Sequence, residues 1–183
     1  KNTKSLMKFD RVISDPPFGL KGPSFKEDNF KRFTYGLPSP NNMDFAFIQH
    51  MISSLKDDGK MGIVVTKSIL FKEIQIDIRK GIFEDDLIEA IIELPSSLYL
   101  STSIASVILI INKNKSEERK KKILFISAEQ EYESTKFRNK LREPDIKKIV
   151  STYENWNEEK GYSYLVNLDQ IIKDKYNILR SIR

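Results

Sequence analysis

The sequence contains no cysteine, which excludes disulfides and thiolate metal sites and fits a reducing, cytoplasmic setting. Glycine is sparse, with seven in 183 residues and no Gly-x-Gly anywhere, so a glycine-rich cradle for a nucleotide-like ligand cannot be built from these residues. No apolar stretch approaches the ~20 residues that span a bilayer. One of the longest is Ala105 to Ile111, and a soluble chain with no membrane partner is expected. The basic start, Lys1 to Lys8, opens no apolar segment of the kind that directs secretion. Neither sign of charge dominates: 31 lysines and arginines are interspersed with 26 acidic residues, and the net charge of +5 leans only mildly toward a polyanionic partner. Internal repeats are lacking, and only Lys113 to Lys122 approaches low complexity.

With 39% hydrophobic residues over 183 positions, the chain is long enough for one sizeable core. Phe9 to Ser14 reads as a short buried strand, ended by Asp15-Pro16-Pro17, where two prolines remove ladder donors. Gly19 to Met43 is a long loop of the functional or mobile kind, with aromatics Phe25, Phe30, Phe33 and Tyr35 that suit either stacking on a flat ligand such as a base or packing over the sheet edge. Asp44 is placed to cap a helix through Lys56, with Phe45, Ile48, Ile52 and Leu55 at helical spacing and Asp57-Asp58-Gly59 as its exit. Met61 to Thr66 reads as a second strand. Ser68 to Phe83 reads as a helix ending near Gly81, with Ile69, Leu70, Ile74, Ile78 and Ile82 on one face. Leu87 to Leu94 and Ala105 to Asn112 are the third and fourth strands, and Ile123 to Ser127 pairs with the fourth as an edge hairpin across a solvated Lys113 to Lys122. A helix over Asp145 to Trp156, a strand-like Tyr162 to Val166 and a final helix from Leu168 complete the chain. This alternation predicts a layered α/β sheet.

Asp15-Pro16-Pro17-Phe18 is the feature that speaks of chemistry, because it sets rigid acceptors beside an aromatic face at a strand's carboxyl end, where open α/β sheets bind ligands. An exocyclic amine such as adenine N6 is a poor nucleophile while its lone pair is delocalised into the ring. The Asp15 side chain and the Pro16 carbonyl can each accept one N6 hydrogen, localising that lone pair toward an electrophilic methyl. Phe18 offers a stacking face for an extruded base, and the Pro16-Pro17 pair fixes φ at both positions. The plain alternative is a strand-ending turn, for which Asp, Pro and Gly are the ordinary residues.

The ordered series Asp15-Pro16-Pro17-Phe18-Gly19, Tyr35 to Pro38, Asn41 to His50, Leu70-Phe71, Ile78 to Lys80, Ile91 to Pro95, Thr102-Ser103-Ile104, Lys122 to Ser127, Asp145 to Trp156, Tyr162-Ser163 and Tyr176 to Leu179 resembles the modification subunit of type I restriction-modification systems. The resemblance covers nearly the whole chain. It implies methyl transfer from S-adenosylmethionine to adenine N6 in DNA, with Asp15, Pro16, Pro17 and Phe18 catalytic, Asp15 and Pro16 also facing the donor, and Phe18, Lys21, Asn41 and Asn42 as candidate DNA contacts. It also implies partnership with specificity and restriction subunits.

The implied fold is the second half of a Rossmann-like methyltransferase sheet over residues 1–128, with three parallel strands, one reversed strand and an edge hairpin strand. A mostly helical, subunit-contacting tail follows over residues 129–183. Two departures stand out. Those subunits usually carry Asn where Asp15 stands, and the family's glycine-rich turn and ribose-holding acidic residue, which precede the motif, are not among these 183 residues. The chain is therefore expected to be a fragment lacking the main donor pocket, inactive alone. Rival readings are another amine methyltransferase, acting on RNA or a protein glutamine, and a partner-binding piece without turnover.

The lone His50 lies on a helix without an evident acid partner and reads as structural. Asn41 and Asn42 suit either a helix start or a ligand contact. Thr102, Ser103 and Ile104 are candidate pocket lining, and Trp156 reads as core or subunit interface. In the family's sheet the strand before Asp15 lies beside the first, donor-binding strand. Phe9 to Ser14 is accordingly expected to form an open edge, covered by a second copy or by the amino-terminal residues folded back.

Overall fold

The computed structural model describes residues 5–100 and 102–182. Its strands are β1 (Phe9–Ser14), β2 (Leu55–Thr66), β3 (Ile88–Glu93), β4 (Ser106–Asn112), β5 (Lys122–Ser127), the short β6 (Glu133–Ser134) and β7 (Asn139–Lys140), and β8 (Ser163–Asn167). The helices are α1 (Asp44–Ser53), α2 (Ile76–Glu84), α3 (Glu143–Asn155), α4 (Leu168–Lys173) and α5 (Ile178–Ser181).

Six strands form one mixed sheet in the order β1-β2-β4-β3-β5-β8, and β6 and β7 make a separate small hairpin. β1, β2, β3 and β5 run the same way, because β1 pairs parallel to β2, β3 pairs parallel to β5, and β4 is antiparallel to both β2 and β3. β8 is reversed against β5. The carboxyl ends of β1, β2 and β3 therefore share one rim with the start of β4.

Period-two alternation divides the core into two layers. Val107, Leu109 and Ile111 of β4 face the layer of α1, α2, α4 and α5, while Ile108 and Ile110 face the layer that includes Ile149 of α3. In β3 the alternation slips. One extra residue between Ile88 and Ala90 puts Ile88 and Ile91 in the same layer and leaves Glu89 at the irregularity. Every residue of β3 is buried, including Glu89 and Glu93 at its two ends.

β1 occupies its expected span but is largely exposed rather than buried, because among the described residues it pairs with β2 alone as an edge strand; its Ile13 is 88% exposed. Cover by the folded-back amino terminus rests partly on residues 1–4, outside the described residues. Among the described residues no helix is long and apolar enough to cross a membrane.

Several local readings are corrected. α1 stops at Ser53, and Asp57-Asp58-Gly59 lies within β2, where β1 advances two residues against five and the extra ones are accommodated as a bulge. The Ser68 to Phe83 segment is a single 3-10 turn, Lys67–Leu70, followed by α2, and Ile74 is half exposed rather than on the buried face. Gly81 lies inside α2, where a Cβ would come within 2.4 Å of Tyr35 Cδ1, so it is a close-approach glycine and not a terminus.

β4 and β5 are not a hairpin, because β3 is inserted between them, and the outer edge belongs to β8. The intervening Lys113 to Lys122 run is not simply solvated either. Lys115 is buried against Asp86, in the turn before β3, at 2.6 Å, and Arg119 reaches Glu89 of β3 at 3.0 Å. The tail is helical but also contributes β8. Arg79 of α2 ties it down by donating to the Tyr176 carbonyl at 2.9 Å as well as to the Ile69 carbonyl at 3.0 Å.

Candidate active site

β1 delivers Asp15-Pro16-Pro17-Phe18 to the shared rim. Pro16 is buried, Asp15 and Pro17 are exposed, and Phe18 is half-buried. These four residues line a concavity of about 570 Å³ with Tyr99, Thr102 and Ile104, enough for one nucleobase with space beyond it. The Tyr99 ring meets Phe18 edge-on, with centroids 5.1 Å apart and planes at 89°, an arrangement that fixes the Phe18 face by quadrupole complementarity. Burial, and then the negative charge of Asp15, hold the Tyr99 hydroxyl above its ordinary pKa, so it stays neutral.

The Asp15 carboxylate has no hydrogen-bond or ion-pair partner among the described residues, and the Pro16 and Pro17 carbonyls accept none from them. Adjacent prolines explain this in part, since neither nitrogen can donate and φ is locked at both. Acceptors without partners, on a backbone whose φ is locked at two successive positions, thus line the concavity. That is the electrostatic requirement for receiving a two-donor amine.

The turn is anchored from behind. Gly19, at φ +58, donates its N–H to Asp44 Oδ1 at 3.2 Å, while Asp44 Oδ2 accepts from Thr66 Oγ1 at 2.9 Å and Asn42 Nδ2 at 3.4 Å. Asp44 is therefore the first residue of α1 and not its cap. Its carboxylate turns to the rim, and Asn42 Oδ1 accepts the Asp44 N–H at 2.8 Å. A second concavity, of about 410 Å³, shares Phe18 and Ile104 with the first and is also lined by Asn42, Thr66, Lys67, Ser68 and Phe71 among others. Lys67 there reaches Glu93 at 2.5 Å and Glu129 at 2.8 Å. Burial disfavours its ammonium, but the two carboxylates outweigh that and raise its pKa, while burial raises that of Glu93.

Of the residues singled out in the sequence, the fold brings together Asp15, Pro16, Pro17, Phe18, Thr102 and Ile104 in one concavity, with Asn42 in the second, which shares Phe18. Lys21 and Asn41 are exposed and line neither concavity. Ser103 is exposed. Three of the loop aromatics gather around Arg32, with Phe25 meeting Phe33 at 4.8 Å, Arg32 over Phe30 and Phe33, and Asp28 tying Arg32 to the loop at 2.9 Å, while Tyr35 packs on α2 at Gly81 and donates its hydroxyl to Asp85 at 2.6 Å. His50 is exposed near the end of α1, away from the concavity. Trp156 ends α3 in a left-handed conformation, with Arg119 4.3 Å from its ring centroid.

Two contributors were missed in the sequence reading. Tyr99 lies in the connection after Pro95, and Asp44 stands where the sequence pattern places a helix cap. The Ser96-Ser97 segment leading to Tyr99 is held by the β6–β7 hairpin, whose Asn139 donates from its side chain to the Ser96 carbonyl at 2.9 Å and from its backbone to the Ser97 carbonyl at 2.8 Å. No short motif announces either contact; both join segments that are distant in sequence.

The family model described as N-6 DNA Methylase matches residues 1–181. The chain is 40% identical over 184 residues to the type I restriction enzyme MjaVII methylase subunit of Methanocaldococcus jannaschii, an alignment taking in 92% of this chain and 31% of that protein. It is 33% identical to the type I restriction enzyme MpnII methylase subunit of Mycoplasma pneumoniae, over 93% of this chain and 32% of the relative. The crystal structure of the type I restriction-modification system methyltransferase subunit from Streptococcus thermophilus superposes with a TM-score of 0.85 at 30% identity, covering 93% of this chain and 37% of that one. The chain thus spans about a third of the length of the curated relatives it matches.

Proposed function

The chain belongs to the N-6 DNA methylase family, and from that premise we propose that it forms the target-base side of an adenine-N6 DNA methyltransferase site in a type I modification subunit. The observation that carries this reading is the unengaged acceptor turn, Asp15 to Phe18, opening on a nucleobase-sized concavity with an aromatic wall. Asp15 accepts one N6 hydrogen and the Pro16 carbonyl the other, so the nitrogen lone pair is drawn out of conjugation and directed across the concavity. Phe18, braced by Tyr99, stacks on the extruded base and excludes water from one face. As nitrogen becomes cationic during transfer, the Asp15 carboxylate stabilises it and is placed to receive the departing proton.

S-adenosylmethionine supplies the electrophilic methyl when bound. Asp15 and Pro16 would face its methyl-bearing end, which fits a turn of acceptors attracted to a sulfonium charge. No residue series here offers the glycine-rich turn for the remainder of the donor. Specificity and restriction subunits are the proposed partners, a cytoplasmic complex the proposed setting, and residues 129–183 the proposed subunit-contacting part.

Three measurements test this. Nucleoside analysis of DNA treated with the full-length enzyme should yield N6-methyladenine; methylated cytosine, RNA or glutamine as the product overturns the substrate assignment. Calorimetry with the 183-residue polypeptide should show donor binding no tighter than about 1 mM, and a low-micromolar constant, ~8 kcal/mol, would place a donor pocket within these residues. The same polypeptide should self-associate through the open β1 edge, whereas a strict monomer by light scattering at every concentration would exclude pairing there.

A further inference from the structure

We infer that Asp44 is a positioning residue for the acceptor turn, holding the Phe18–Gly19 peptide against the end of β2 so that Asp15 to Phe18 keep their orientation over the concavity. This rests on the base-handling reading of that turn. Beyond the ladder of β1, the residue that follows Phe18 is held by Gly19 N–H donating to Asp44 Oδ1 at 3.2 Å, and the next one by Met43 N–H donating to the Leu20 carbonyl at 2.9 Å. The other carboxylate oxygen is held by Thr66 at the end of β2 and by Asn42 in the loop before α1.

Asp44 is 1% exposed, and its partners are neutral donors. Desolvating a carboxylate is unfavourable, and starting a helix does not require it, since an exposed serine or asparagine does that equally well. What a buried carboxylate adds is the capacity to accept several hydrogen bonds at once. Here they come from three separate segments that converge on the rim. The positive end of α1 contributes to holding the charge there. With Tyr99 bracing the Phe18 ring from one side and Asp44 fixing the peptide after it, the turn is clamped at both faces, independently of the proline locks.

The experiment uses the full-length enzyme and compares Asp44→Ser, Asp44→Asn and, as a folding control on the same helix, Ile48→Val. Asp44 is the first residue of α1 and caps nothing, so serine there leaves the start of the helix intact, but it is too short to reach Gly19. Asparagine can present Oδ1 to Gly19 and Nδ2 to the Thr66 oxygen. Steady-state kinetics should show kcat reduced roughly 10- to 100-fold in Asp44→Ser, as expected for a misplaced reacting group. The KM for DNA should be nearly unchanged. Asp44→Asn should recover most of the rate, and Ile48→Val should keep the parent kcat.

The fluorescence of 2-aminopurine at the target position should report an altered stacking environment in Asp44→Ser alone. Parent kcat in Asp44→Ser while Asp15→Ala is impaired would overturn the positioning role by itself, as would equal losses in the serine, asparagine and Ile48→Val variants. Full activity in Asp15→Ala would remove the base-handling reading, and this inference with it.

Discussion

Asp15→Ala in the full-length enzyme should lower the rate of methyl transfer about 10²- to 10³-fold, the loss that accompanies removal of one preorganised hydrogen-bond partner from a reacting centre, ~2.7–4 kcal/mol. The reasoning is differential. Asp15 makes no folding contact with the described residues, so the substitution should leave thermal stability within about 0.5 kcal/mol of the parent. Binding of donor and DNA should change little, because the acceptor acts most strongly when the amine becomes cationic. Single-turnover transfer of a radiolabelled methyl separates these effects. Asp15→Asn retains an acceptor oxygen but loses the charge. It should fall between the two, and its deficit measures how far the carboxylate serves as a proton sink beyond the Asn usual in the type I subunits that this chain resembles. Near-parent turnover in Asp15→Ala would reduce the motif to a strand-ending turn.

How legible this was in the sequence depends on the range over which each signal acts. β1 and its Pro-Pro terminus were readable because the stop is local: two missing donors end a ladder wherever they fall. The four principal strands were readable from apolar runs, and the presence of one reversed strand from the resemblance, but only the pairing shows that it is β4. Strand order was not readable from local pattern. Consecutive strands joined by ten mostly polar residues suggest a hairpin, but β3 is inserted between β4 and β5, and the connection is captured by Asp86, just before β3, which holds Lys115, and by Glu89 within it, which holds Arg119. The long helix read over Ser68 to Phe83 failed because 3.6-residue periodicity tolerates an interruption that the isoleucines do not reveal, and Gly81 was a packing requirement imposed by Tyr35, 46 positions earlier. Asp44 shows the same limit at the site. Its position before an amphipathic run is the signature of a cap, and only the fold shows that its carboxylate faces Gly19 and Thr66.

The largest stability effect is expected at the opposite end of β3 from the site. Glu89, 1% exposed, accepts from Tyr153 Oη at 2.9 Å, Arg119 Nη1 at 3.0 Å and Asn112 Nδ2 at 3.2 Å, with Lys60 Nζ at 3.5 Å. It joins the start of β3 to β4, to the connection before β5 and to α3. Glu89→Ala leaves a guanidinium and an amide turned toward an empty acceptor position, and breaking a buried charged cluster from one side typically destabilises by ~3–5 kcal/mol. Against a total stability of about 5–15 kcal/mol, the denaturation midpoint should drop steeply with little change in slope. Acid should erode the same interaction in the parent protein. Burial works to raise the Glu89 pKa, but the bonds from Tyr153, Arg119 and Asn112 and the charge of Lys60 outweigh it, and the folded value is lowered. A lowered folded pKa means that stabilisation is complete above the unfolded value, ~4.3, and is lost as pH falls through the folded one. Glu93 has the opposite sign, because burial raises its pKa despite Lys67. Its ionisation opposes folding as pH rises, and relief comes on acidification. The destabilisation caused by Glu89→Gln should therefore shrink as the pH is taken from neutrality to below the folded pKa, whereas a penalty that stays constant over that range would show that the carboxylate charge contributes nothing to this junction.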